Sequence, residues 1–112
     1  MRSRAGLLTA SMALGGFTLA CAGALPPVTP ALVERAVSRW PDSSEASLKR
    51  GRRLFVDRCS GCHSLVLPRQ HSEEEWVEWL DAMQERARLT PQERELVMRY
   101  LAGQRGMTST AR

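Results

Sequence analysis

Cys59-Ser60-Gly61-Cys62-His63 constrains this 112-residue chain more than any other stretch. Two thiols separated by two residues, with an imidazole directly after them, can serve one bound group together, and the fold must leave that group room beside them. The spacing is that of a c-type haem attachment site. Each thiol can add across one vinyl group of the porphyrin, and the imidazole then lies under the iron as its proximal ligand. Cys59 and Cys62 are therefore expected to hold one haem c covalently, with His63 on the iron.

Two rival chemistries use similar residues. A thioredoxin-like redox pair also needs C-x-x-C, but within a βαβ pattern, and the flanks here read as helix throughout. Zinc could draw on Cys59, Cys62 and His63 or His71, yet a closed structural site needs four ligands. No second C-x-x-C or H-x₃₋₅-H is present to complete it. A Cys59–Cys62 disulfide is open to an exported protein and competes directly with haem attachment.

The N-terminus carries Arg2 and Arg4 and then an uncharged run from Ala5 to Ala20. These are the basic and apolar regions of an export signal, and the run is short for a helix crossing a hydrocarbon core of about 30 Å. The expected location is the periplasm. Two processing routes fit: cleavage after Ala22-Gly23-Ala24, or use of Thr18-Leu19-Ala20-Cys21 as a bacterial lipobox with Cys21 lipidated, which would attach the protein to a membrane. Loss of Arg2 and Arg4 lowers the formal net charge from +4 to +2. With no interleaving of aromatic and basic residues, the positive balance gives no argument for nucleic acid.

The expected organisation is a signal peptide or lipoprotein signal over 1–24, a proline-containing linker with a short helix over 25–43, a haem domain over 44–103 and a flexible tail over 104–112. Three prolines within Leu25–Pro30 suggest an extended linker. The short helix, Ala31 to Arg39, stops at Trp40-Pro41 and packs Trp40 on the domain. A helix from about Ser44 runs into the haem motif, with Leu48, Gly51, Phe55 and Cys59 on one face. Glycine on such a face costs about 1 kcal/mol of helix propensity, so something is expected to pack there too closely for a side chain. Ser72 and Glu75 form a capping box for a helix whose apolar face holds Trp76, Leu80, Met83 and Ala87, with Trp79 at its edge. Thr90, Pro91 and Glu93 open the last helix, Leu96, Val97, Tyr100 and Leu101 face inward, and Gly103 is expected to end it. The class is all-α.

Together these residues resemble a class I monohaem cytochrome c in a short bacterial form. In that family a glycine and an aromatic stand eight and four residues before the first haem cysteine, as Gly51 and Phe55 stand before Cys59. The family's C-terminal helix crosses the N-terminal one at this glycine through an aliphatic and an aromatic residue three apart, matched here by Val97 and Tyr100. The likeness covers roughly 48–101 and departs in the middle, where only nineteen residues separate His63 from Met83. It implies a small cytochrome c fold of three to four helices around one haem, with electron transfer as the activity.

The sixth iron ligand has four candidates in the mature chain. Met98 lies about 130° from the centre of the last helix's apolar face at about 100° per residue, so it is expected to face solvent. Met107 follows Gly106 in a polar tail expected to fray. His71 is already accounted for as the residue before a cap and is expected at the surface. Met83 lies centrally on its helix's apolar face. Its position before the C-terminal helix is similar to that of the family's methionine ligand, and thioether is a suitable axial donor. Filling the core is the competing role for Met83.

Lys49, Arg50, Arg52, Arg53 and Arg58 cluster on the haem-bearing helix, and Glu73, Glu74, Glu75, Glu78, Asp81 and Glu85 on the Met83 helix. These are expected to be solvated faces that attract one another, with Arg52 and Arg53 also candidates for steering a redox partner protein. No nucleophile-base pair or phosphate loop points to an enzyme. The protein is expected to be a monomer or a subunit of a complex. The alternatives to a free carrier are a fixed haem subunit of a larger oxidoreductase and a five-coordinate haem sensor.

Overall fold

The computed structural model describes residues 25–60 and 64–107, the side chains of Gly106 and Met107 excepted. The expected signal over 1–24, Cys21 with it, and residues 108–112 of the expected tail lie outside the described residues. Within them the chain is all-α, with four helices and no strand: α1 (Pro30–Arg39), α2 (Glu45–Cys59), α3 (Glu73–Met83) and α4 (Pro91–Met107).

Each helix begins where a side chain can take up an orphan backbone N–H. Thr29 Oγ1 accepts from the Leu32 amide at 3.2 Å ahead of α1, and Pro30 supplies a first position that needs no donor. Ser44 and Ser47 exchange capping bonds at the start of α2. Ser72 and Glu75 do so for α3, and Thr90 and Glu93 for α4. α1 ends as expected, since Trp40 takes an extended conformation before Pro41.

α4 is the central element, touched by α1, α2, α3 and the short 3-10 turn Pro68–Gln70. This corrects the expectation for Met98. It is only 6% exposed, because α4 has neighbours on several sides and not on the single face that a one-stripe calculation assumes. Gly103 likewise does not end the helix, which continues to Met107. A Cβ at Gly103 would stand 2.5 Å from Leu32 Cδ1, so this glycine makes room for the fully buried Leu32 of α1.

Helices α2 and α4 approach closely at Gly51, as its place on the inner face of α2 suggested. A Cβ there would overlap the Leu96 carbonyl oxygen and lie 2.7 Å from its carbon and 3.3 Å from the Val97 nitrogen. Backbone meets backbone at this point, and Val97, Tyr100 and Leu101 are completely buried beside it.

Residues 25–29 have no regular secondary structure and form a strap on the domain, not a free linker. Prolines offer only carbonyls for bonding, and distant side chains meet them. Arg52 donates to the Leu25 carbonyl at 2.9 Å and to that of Pro26 at 3.0 Å. The Tyr100 hydroxyl donates to the same Pro26 oxygen at 2.5 Å, and Gln104 Nε2 to Pro27 at 2.9 Å. Gln104 is buried, so the domain continues past residue 103.

Candidate functional site

Cys59 is the last residue of α2 and Met83 the last of α3. Both are half-buried, and both line one apolar cleft with Phe55, Leu65, Val66, Trp76, Trp79 and Leu80. Cys62 and His63 lie outside the described residues. The placement of Cys59 follows from the inner face that it shares with Leu48, Gly51 and Phe55. That of Met83 follows from Trp76 and Leu80, two turns and one turn before it, which hold α3 in the core.

The floor and the walls of the cleft differ. Phe55, Trp76 and Leu80 are buried, and the Phe55 and Trp76 rings meet edge to face at 5.7 Å. Trp76 Nε1 donates to the Pro68 carbonyl at 2.8 Å, which ties the segment before α3 onto that helix. Pro68 is itself fully buried. Leu65, Val66 and Met83 are half-exposed and Trp79 is 42% exposed.

With its open mouth the cleft spans about 380 Å³. The lining fits a porphyrin in its chemistry: apolar surface throughout, a thiol at one side and a thioether at another.

His71 does not line the cleft. Its ring packs on Trp76 at 5.4 Å and on Trp79 at 4.6 Å, and Nδ1 is 3.6 Å from Glu75 Oε2. Its carbonyl accepts from Arg105 of α4. The expected surface histidine is thus a half-buried brace for the two tryptophans. Met98 belongs to the core and is also absent from the lining.

α3 stops at Met83, one turn short of Ala87. The chain leaves it through a turn in which the Ala87 amide donates to Met83 O at 2.8 Å and that of Leu89 to Gln84 O at 3.0 Å. Arg88 takes φ 53° there, a left-handed conformation that swings the chain toward the Thr90 cap. Met83 consequently sits at a helix end.

The two charged faces do not pair with each other as expected. Glu73 of α3 binds Arg39 of α1 in a two-pronged contact at 2.8 and 2.5 Å, and Asp81 binds Arg94 of α4 at 2.6 Å. The Arg39 guanidinium holds the Glu73 carboxyl below its usual range. On α2, Lys49 pairs with Glu45, and Arg50 lies 3.6 Å from Glu93. Arg52 is held by the strap carbonyls, which orient its charge without neutralising it. The strap bonds of Arg52, Tyr100 and Gln104 had no signal in the sequence, since their acceptors lie 26 or more positions away.

No protein-family model, curated protein or solved structure matches this chain.

Proposed function

We propose that this chain is an exported electron-transfer protein carrying one covalent c-type haem, held through Cys59 and Cys62 with His63 and Met83 as the axial ligands. The observation that carries the reading is the meeting of Cys59 and Met83, from two different helices, in one apolar cleft. The haem supplies a one-electron couple, and a histidine–methionine pair raises its potential. Phe55, Trp76 and Leu80 exclude water from the inner side. The Trp76–Pro68 bond positions the loop that leads away from His63.

The optical spectrum of the exported protein tests this. Covalent haem together with an iron–sulfur band that disappears in Met83→Ala is the expected result. Covalent haem with the band unchanged in the variant assigns the sixth position to another residue. Absence of covalent haem from the exported protein overturns the proposal.

A further inference from the structure

We propose that His71 is a proton-binding group linked to the charge of the haem iron, so that the protein takes up a proton there on reduction and releases it on oxidation. The inference rests on the proposed haem in the cleft and adds a regulation of that site by pH.

The placement of His71 carries the argument. His63 and His71 are the two histidines of the chain, and His71 is the one outside the proposed ligand set. Imidazole is the side chain whose ordinary change of charge falls between about pH 5 and 8. The His71 ring lies against Trp79 at 4.6 Å, tilted by 36°, and meets Trp76 edge-on at 5.4 Å. Both tryptophans line the cleft, so the imidazole stands one ring removed from whatever fills it. Its side chain is 23% exposed and Trp76 is buried, so aromatic matter and not bulk water lies between that charge and the cleft. Such a path screens weakly.

Fixed charges face His71 from several elements. On α3, Glu75 Oε2 lies 3.6 Å from Nδ1 and also accepts from the Ser72 amide at 2.5 Å, while Glu74 is exposed. Arg105 of α4 donates to the His71 carbonyl. Glu73 is held by Arg39 of α1, and Arg69 of the 3-10 turn is exposed. The Glu75 carboxylate favours an imidazolium and the Arg105 guanidinium opposes it. These groups carry the same charge in both oxidation states and set a constant background. The iron alone changes, losing one positive charge on reduction, and that favours the protonated imidazole.

The coupled step balances simply. A redox partner gives one electron to the iron, the solvent gives one proton to the imidazole, and the N–H bond is the only bond formed. Reoxidation returns both.

The midpoint potential of the exported holoprotein, measured from about pH 5 to 8, tests this in the wild type and in His71→Phe, which keeps a ring against Trp76 and Trp79. Proton binding about fivefold tighter in the reduced state is expected, seen as a fall in potential of roughly 40 mV as pH rises, and the fall should vanish in the variant. A potential independent of pH in the wild type overturns the link. So does an equal fall in His71→Phe, the result that titration of the haem propionates would give. Proton NMR of the wild type provides a check that needs no variant. The His71 imidazole signal should move at higher pH in the reduced protein than in the oxidised one, and coincident curves overturn the proposal. Exported protein without covalent haem has no couple to measure and overturns the haem reading as well, so the two failures are told apart.

Discussion

Gly51 of α2 packs directly on the Leu96 carbonyl of α4, with no space for a single methyl group between the two backbones. The contact sets how close the two helices lie, and so where Phe55 and Cys59, one and two turns further along α2, meet the cleft.

Gly51→Ala should destabilise the domain by about 1–3 kcal/mol even though alanine is the better helix former, because the obstacle is backbone and the helices must part. Gly103→Ala provides the contrast. Its Cβ meets only the end of the Leu32 side chain, which can turn away, and a change within about 1 kcal/mol is expected. Urea denaturation of both variants measures the difference. Equal losses would remove the special status of Gly51.

Tyr100 gives the strap a pH dependence. Burial pushes its hydroxyl from 10.0 up to about 12, so the folded state keeps the proton longer than the unfolded chain. This contribution is complete below pH 10 and is lost as pH rises from 10 towards 12. Tyr100 is the only tyrosine, so tyrosinate absorbance reports it alone. Tyr100→Phe should flatten the alkaline fall in stability and, by losing the bond to Pro26, make residues 25–29 easier to cut by protease.

At the acid end, hydrogen bonds to the Ser72 and Thr90 backbone amides hold the Glu75 and Glu93 carboxyls below 4.5, and Arg39 does the same for Glu73. A carboxyl lowered in this way contributes above 4.5, and the contribution disappears as pH falls through the folded value. Glu75→Gln with Glu93→Gln should flatten the decline in melting temperature below this point while leaving both caps able to accept a bond.

Trp76→Phe keeps the ring contact with Phe55 but leaves the buried Pro68 carbonyl without its donor. A loss of about 1–2 kcal/mol is expected from denaturation curves. If the bond positions the loop after His63, the yield of covalent haem per exported chain should fall as well. An unchanged yield would restrict Trp76 to a stabilising role.

How much of this was legible depends on the reach of each interaction. Thr29, Ser44, Ser72 and Thr90 bond to groups three residues away, so their caps could be read from neighbouring letters. Cys59 and Met83 could each be placed on an apolar helix face for the same reason. Met98 and Gly103 were misread because a single helix carries no record of how many neighbours cover it.

The sequence by itself determined where the helices start, which faces are apolar and which residues offer thiol, imidazole and thioether chemistry. All of these rest on hydrogen bonds and periodicities a few residues long. Only the tertiary structure decided that Cys59 and Met83 line the same cleft, that Arg52 and Tyr100 hold the strap, and that α4 is enclosed on several sides. Those outcomes depend on how closely backbones can approach, as at Gly51 and Leu96, and on partners that the chain brings together only after it has turned back on itself.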